Sequence, residues 1–275
     1  FELHQDESAL LHLLAAEKFG IVKDEQIRKV AVFHLGLLQL RARKFGAATE
    51  TLQDLAKDRL ETKELFVALG QAALLIRPQD TPSENEPGQQ IVERVGRAES
   101  LFAQKRFDDA RKIFADLVIE YPNYPNLHVA YGRFLLEMQE IDAAVAEFQA
   151  EIKNNPQNVP ARLQIAAARY RLDSADGVKY AKEAIELDGK NPLGHYLLGL
   201  LYIDTQKYAE AIAELETARR TGYQKLPEVY FALASAYSRA GRNADAARAR
   251  AVFSKLKAEN AGENGDLKSS GLANK

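Results

Sequence analysis

The sequence lacks side chains that several classes of protein chemistry require. Its 275 residues include no cysteine, no tryptophan and a single methionine, Met138. Without cysteine the chain can form no disulfide, no thiolate metal site and no cysteine nucleophile. Because a cysteine-free chain suits either redox environment, the composition leaves the cellular compartment open.

A strong net charge and long apolar runs are also missing. Lys and Arg total 37 against 39 Asp and Glu, a formal net charge of −2, which argues against nucleic-acid binding by the chain as a whole. The longest apolar stretches, such as residues 67–76, are far shorter than the roughly 20 residues of a transmembrane helix. With 46% hydrophobic and 28% charged residues, the composition is typical of one large globular domain or two small ones. The chain begins at Phe1, so we expect a processed or truncated N-terminus.

Motifs for catalysis or cofactor binding do not occur in the sequence. It contains no Gly-x-Ser-x-Gly, no glycine-rich phosphate loop and no His-Glu-x-x-His. No two of its histidines stand three or four residues apart, the spacing at which one helix face can hold a metal ion. The histidines are His4, His12, His34, His128 and His195. We therefore predict no catalytic, cofactor-binding or metal-binding residues, and structural roles for His34 and His195.

The dominant feature that is present is an internal repeat. Phe107, Ala110, Phe114 and Pro122 have the same spacing as Ile141, Ala144, Phe148 and Pro156. One small residue returns at steps of 33 to 35 residues, at Ala110, Ala144, Gly177, Ala211 and Ala246. Apolar spacings of three, four and seven place these side chains on one helix face. Since a single helical hairpin cannot bury its apolar face alone, consecutive hairpins are expected to stack.

These residues resemble the tetratricopeptide repeat family. The resemblance rests on Tyr131-Gly132, Ala144, Phe148 and Pro156, and on a second set formed by Leu198-Gly199-Leu200-Leu201-Tyr202, Tyr208-Ala209-Glu210-Ala211 and Ala218. It covers residues 91–256 as five repeats, which start near positions 91, 125, 159, 192 and 227, and it covers residues 29–77 more weakly. It implies an all-α fold, a right-handed superhelical solenoid of helix-turn-helix repeats.

The departures from the repeat predict a domain organisation. Residues 1–28 are interpreted as the remnant of a preceding truncated repeat, and residues 29–77 as N-terminal helices of the same type. Residues 78–90, which contain three prolines, are predicted to be a linker. Residues 91–257 are predicted to form the solenoid of about five repeats. Residues 258–275 have too few apolar side chains to fold alone and are predicted to be a flexible tail.

The resemblance also implies a binding surface. In this family the first helix of each repeat lines a concave groove, through the fifth, ninth, twelfth and thirteenth positions of the repeat. Carried over to this sequence, the predicted groove residues are Val95, Glu99, Phe102, Val129, Arg133, Leu136, Leu163, Tyr170, Arg171, Tyr196, Leu200, Ile203, Phe231 and Arg239. The Lys and Asn clamp that some members use for a terminal carboxylate is missing. An apolar and aromatic groove with spaced arginines suits an apolar helix or an extended peptide.

We therefore predict a non-catalytic protein–protein interaction scaffold, or a subunit of a larger complex, that holds a partner segment in this groove and uses no cofactor. Between Arg239 and Lys257 six cations stand against Asp245 alone. This cluster is either the solvated cap of the last repeat or a site for an acidic partner; nucleic acid is not expected. Two alternatives stay open: a bacterial envelope assembly or secretion factor, and the specificity module of an enzyme whose catalytic part lies upstream.

Overall fold

The computed structural model describes residues 25–269, and the side chains of residues 25–259. Within residues 25–269 there are thirteen α-helices and one short 3-10 helix at Pro78–Asp80, and no strand. The all-α prediction is therefore confirmed. No helix in this part of the chain is both long enough and apolar enough to cross a membrane.

The chain folds as two compact units, with the boundary between Met138 and Gln139. The helices of unit 1 are α1 Glu25–Arg41, α2 Phe45–Lys57, α3 Lys63–Leu74, α4 Pro87–Ala103, α5 Phe107–Glu120 and α6 Leu127–Glu137. The helices of unit 2 are α7 Ile141–Asn154, α8 Val159–Arg169, α9 Ser174–Leu187, α10 Pro192–Asp204, α11 Tyr208–Thr221, α12 Pro227–Arg239 and α13 Asn243–Ser269.

The small residues of the repeat lie where two helices of a hairpin meet. A Cβ atom at Gly36 in α1 would lie 2.6 Å from Leu52 Cδ2 in α2, and one at Gly199 in α10 would lie 2.6 Å from Leu215 Cγ in α11. The small residue on the first helix thus makes room for a leucine of the second helix. The recurring alanine of the second helix, such as Ala144, is fully buried.

Unit 1 contains a closer helix pair that the repeat pattern did not predict. A Cβ atom at Gly70 in α3 would overlap the carbonyl oxygen of Val92 in α4, and one at Gly96 would overlap the carbonyl oxygen of Phe66. The two helices therefore meet backbone to backbone, which only glycine permits. Residues 78–90, predicted as a linker between domains, instead contain a 3-10 helix and the start of α4, and they join two helices that pack together. The composition of this segment did not reveal the contact between the glycines on either side of it.

Aromatic rings fill the space between the helices α4, α5 and α6 of unit 1. The ring of Phe114 stacks on Tyr131 at a centroid distance of 5.7 Å and lies 5.5 Å from Phe134. Phe102 meets Phe134 edge to face at 5.8 Å. Such aromatic pairs add stability beyond the apolar area they bury, so this cluster joins three helices of unit 1.

In unit 2, asparagine side chains cap the first helices of two hairpins. Asn158 Oδ1 accepts a hydrogen bond of 2.9 Å from the backbone N–H of Ala161, and Asn191 Oδ1 accepts one of 3.1 Å from Gly194. A proline follows each cap within the first turn, where its missing N–H costs nothing. The pair Asn191-Pro192 therefore lies where one hairpin ends and the next begins.

The turns inside the hairpins share a residue in the left-handed backbone region. In the turns that follow α4, α6, α10 and α12, this residue is Lys105 (φ 62°), Gln139 (φ 62°), Gln206 (φ 62°) and Gly241 (φ 75°), respectively. Because this region is open to glycine at little cost, the turn at Gly241 is the least strained of the four.

The predictions for the two ends of the chain, residues 1–28 and 258–275, fall partly within the described residues. Most of the predicted truncated repeat, residues 1–24, lies outside the described residues, while α1 begins at Glu25 and so crosses the predicted boundary at position 28. The last helix, α13, continues to Ser269. The described part of the predicted flexible tail is therefore helical.

Candidate functional site

The first helices of unit 2 line a cavity of about 290 Å³. We call it the aromatic cavity. It lies between the end of α8, the helices α10 and α12, and Phe253 of α13. Its lining residues are Tyr170, Arg171, Tyr196, Leu200, Ile203, Asp204, Gln206, Glu228, Phe231, Ala232, Ser235, Arg239 and Phe253. Every predicted groove residue of unit 2 except Leu163 lies in it.

Aromatic rings form the walls of the aromatic cavity. Phe231 is 64% exposed and lies 5.6 Å from Phe253 between ring centroids. Tyr196 is half-buried and meets Tyr223 edge to face at 6.1 Å. Burial raises the pKa of Tyr196, with smaller contributions from neighbouring groups that include Glu228, so its phenol is neutral and can donate a hydrogen bond at physiological pH.

Charged side chains of both signs stand around these rings. The guanidinium of Arg171 lies 5.1 Å from the ring centroid of Tyr170, and that of Arg239 lies 6.0 Å from the ring of Tyr208. Asp204 Oδ2 accepts a hydrogen bond of 2.6 Å from Ser174 Oγ. The mixed charges can set the register of a bound chain, while the rings supply apolar contact area.

Unit 1 contains a second cavity, of about 230 Å³, which we call the acidic cavity. It is bounded by α2, α4 and α6. Its lining residues are Gly46, Thr49, Glu50, Gln53, Glu99, Phe102, Arg133, Phe134 and Glu137. Three of the predicted groove residues, Glu99, Phe102 and Arg133, lie in it.

Glu99 is the buried charge of the acidic cavity. It is 7% exposed, and its Oε2 accepts a hydrogen bond of 3.0 Å from Gln53 Nε2. Burial raises the pKa of Glu99, while Arg133 and the Gln53 hydrogen bond oppose the shift and Glu137 adds to it. Burial has the larger effect because the cavity withdraws the carboxyl group from water.

Four predicted groove residues line neither cavity. Val95, Val129 and Leu163 are buried, at 0%, 1% and 8% exposure, so they pack inside the fold and their prediction as groove residues is wrong. Leu163 Cδ2, for example, lies 3.6 Å from where a Cβ of Gly194 would be. At the same repeat position the larger rings of Tyr196 and Phe231 reach the cavity. Leu136 is half-buried and lines neither cavity.

Several lining residues were not predicted. In unit 1, Thr49, Glu50 and Gln53 come from a second helix, which the family pattern does not place at the groove. In unit 2, Phe253 comes from the last helix, seven residues after Ala246. The residues seven after the small residue in the other repeats, Leu117, Glu151, Ala184 and Ala218, are all buried. A large phenylalanine at this position of the last repeat was the signal that could have found it.

The basic cluster between Arg239 and Lys257 is partly neutralised by its neighbours. Asp245 pairs with Arg242 at 2.7 Å and also with Arg248, and Lys255 lies 3.8 Å from Glu259. Arg250 makes no ion pair within the part of the chain whose side chains are described. The ion pairs lie on an exposed helix surface, where each contributes little to stability.

The buried histidines hold the loops before their helices. His128 Nε2 lies 2.9 Å from the carbonyl oxygen of Pro122, and His195 Nε2 lies 3.2 Å from that of Gly189. His195 Nδ1 also lies 2.6 Å from Glu214. Over residues 25–259, no group of three or more His, Cys, Asp or Glu side chains could hold a metal ion.

Comparisons with known proteins agree with this architecture. Two family profiles, both described as tetratricopeptide repeat, match residues 101–170 and residues 162–225 and 196–260, which together exceed half of the chain. No curated protein matches the sequence. The crystal structure of MamA has a TM-score of 0.56 at 16% identity and covers 60% of this chain and 96% of that chain.

Two other solved structures share the fold. MamA from Desulfovibrio magneticus RS-1 has a TM-score of 0.56 at 15% identity, covering 60% of this chain and 94% of that one. YrrB, described as a tetratricopeptide-type protein with an unusual peptide-binding site, has a TM-score of 0.51 at 10% identity and covers 60% of this chain and 84% of its own. At these identities the likeness concerns the helical-repeat solenoid fold.

Proposed function

Since the chain belongs to the tetratricopeptide repeat family, whose members are protein–protein interaction scaffolds, we propose that it is a non-catalytic scaffold that holds a peptide or helix of a partner protein in the aromatic cavity. The observation that carries this proposal is the exposed ring of Phe231, 64% accessible, within a wall of aromatic side chains. A large apolar ring left open to solvent costs free energy that a partner would recover by covering it.

The residue types of the aromatic cavity favour a polypeptide ligand. Tyrosine and arginine are enriched among the residues that carry most of the energy of protein interfaces, and Tyr170, Tyr196, Arg171 and Arg239 supply both. At about 290 Å³ the cavity is at the small end of ligand pockets, which span roughly 300–1,000 Å³. It has the size to accept one or two apolar side chains of a chain that continues beyond it.

The test is a binding measurement on peptides selected from a displayed library against the purified chain. A selected peptide is labelled, and its affinity is measured by fluorescence anisotropy. We expect Tyr196→Ala with Phe231→Ala to weaken binding by at least tenfold, since truncating interface anchors typically costs about 2 kcal/mol or more. Circular dichroism should show unchanged helicity.

The matched control is Leu172→Ala, because Leu172 is 62% exposed in the same unit and does not line the cavity. It should change the affinity by less than twofold. Equal weakening by Leu172→Ala would contradict the proposal, and so would loss of helicity in the double variant, since the two rings would then be core residues.

A further inference from the structure

The acidic cavity of unit 1 carries a charge that its own residues do not balance. Three carboxyl groups, Glu50, Glu99 and Glu137, line it against the single cation Arg133. No ion pair joins Arg133 to any of them among the described residues. With all three carboxyl groups ionised the cavity has a net charge of −2, so it favours a cation over an anion or a neutral group.

Glu99 leaves one hydrogen-bond acceptor free in this cavity. Its Oε2 is occupied by the amide of Gln53 at 3.0 Å, whereas no described residue donates to Oε1. Glu99 is only 7% exposed and lines the cavity, so Oε1 is the oxygen that can accept a hydrogen bond from a molecule there. A donor with positive charge would satisfy the oxygen and offset the burial that raises the pKa of Glu99.

The other residues that line the acidic cavity favour one class of cation. The three carboxyl groups do not converge closely enough to hold a metal ion, as no such group occurs in the described residues. Phe102 and Phe134 present aromatic rings to the same space, 5.8 Å apart between centroids. Aromatic faces and separated carboxylates together match the planar guanidinium, which stacks on rings and directs five N–H donors outward in a fixed fork.

We propose that the acidic cavity binds the guanidinium group of an arginine side chain presented by a partner protein. Glu99 Oε1 accepts from one guanidinium nitrogen, the half-buried ring of Phe102 contacts one of its faces, and Glu50 and Glu137 add attraction at the exposed rim. A water molecule occupies about 30 Å³ in the liquid, so about 230 Å³ holds a side chain of this length. The site goes beyond the proposed function, because it lies in the other unit and takes a different chemical class.

The test titrates the full chain with N-acetyl-arginine amide, which presents the side chain as a protein does. Binding is followed by calorimetry and by the NMR signals of unit 1. We expect saturable binding that N-acetyl-citrulline amide, its neutral isostere, reproduces at least tenfold more weakly. Glu99→Gln should weaken binding of the arginine probe at least tenfold, and Glu228→Gln, which alters a carboxyl group of the aromatic cavity, should leave it within twofold.

A second variant keeps the test decisive if Glu99→Gln does not fold. Glu137→Gln changes an exposed rim residue and should weaken the arginine probe about threefold, less so as salt is added. The double variant Tyr196→Ala with Phe231→Ala should bind the arginine probe as tightly as the wild-type chain does. A loss of binding at the acidic cavity is therefore distinguishable from a loss of binding at the aromatic cavity.

Four outcomes would overturn the proposal. They are equal binding of the citrulline probe, wild-type affinity in folded Glu99→Gln, loss of binding in Glu228→Gln, and equal binding of N-acetyl-lysine amide, which would show that any cation suffices. Free arginine binding at least tenfold more tightly than the blocked probe would replace the partner side chain by the free amino acid as ligand.

Discussion

The two units share the side-chain packing of the helical hairpin, as Gly36 admits Leu52 in unit 1, but unit 1 adds a contact of another kind. In unit 2 the small residue of one helix admits a side chain of the next, as Gly199 admits Leu215, and the cavity is lined mainly by first helices. In unit 1, α3 and α4 touch through their backbones at Gly70 and Gly96, and the cavity takes residues from a second helix. The comparison teaches that the side-chain packing is common to both units, whereas the backbone contact and a cavity lined partly by a second helix occur together in unit 1.

The largest effect is expected where the backbones touch. Gly96→Ala places a methyl group on the carbonyl of Phe66, which cannot rotate away. The free energy of unfolding should therefore fall by about 3 kcal/mol or more. Gly199→Ala meets the side chain of Leu215 at 2.6 Å, which can shift where a carbonyl cannot, and it should cost less. Urea unfolding of both variants measures the difference.

The control for that pair is Gly46→Ala, where a Cβ atom would meet nothing within 4 Å. It should be neutral or slightly stabilising, because alanine favours the helix. If Gly96→Ala were no more destabilising than Gly199→Ala, the backbone contact between α3 and α4 would be refuted.

The regular packing of unit 2 can be broken at its recurring small residue. Ala144 is fully buried in α7, so Ala144→Leu should lower the free energy of unfolding by about 1–3 kcal/mol through overpacking. Ala146→Leu enlarges an exposed residue of the same helix and should leave the melting temperature almost unchanged. Equal melting temperatures for the two variants would show that Ala144 does not lie at a close helix contact.

The sequence alone predicted the hairpins of residues 91–256 because small and large residues alternate there at a constant period. It also predicted most of the aromatic cavity, since the groove positions of Tyr196 and Phe231 carry rings long enough to leave the helix contact. It failed at Val95 and Val129, whose shorter side chains end inside that contact. The period says which face a residue is on but not how far its side chain reaches.

The contacts of unit 1 that the sequence did not predict have a different physical cause. Three prolines between residues 78 and 90 resemble a linker by composition, but the packing of α3 on α4 depends on Gly70 and Gly96, which lie 26 positions apart and belong to no common repeat offset. The acidic cavity was predicted only in part, through Glu99, Phe102 and Arg133, for the same reason. Gln53 and Glu99 meet only because α2 and α4 are neighbours in space.

The two asparagine caps of unit 2 are expected to contribute different amounts to stability. Asn158 caps α8 and also donates to Glu151 Oε1 at 3.1 Å, whereas Asn191 caps α10 and donates to the exposed Asp188. Asn158→Ala should therefore cost about 2 kcal/mol and Asn191→Ala about 1 kcal/mol, within the range for lost caps.

Thermal unfolding of both variants measures the difference. Replacement by serine, which also caps helices, should restore most of the loss at position 191 but not at 158, because serine lacks the amide that donates to Glu151. Full rescue by serine at both positions would show that the buried Glu151 contact adds nothing.

The smallest effect concerns the left-handed turns. Gly241 has a φ of 75° and open space where a Cβ atom would stand, so Gly241→Ala should cost about 1 kcal/mol through backbone strain alone. Gln206 occupies the matching place one hairpin earlier at a φ of 62°, and Gln206→Gly should stabilise unit 2 by up to about 1 kcal/mol by removing the same strain. Opposite shifts of the urea midpoint are expected for the two variants. Shifts in the same direction would mean that side-chain contacts, not the backbone conformation, set the stability of these turns.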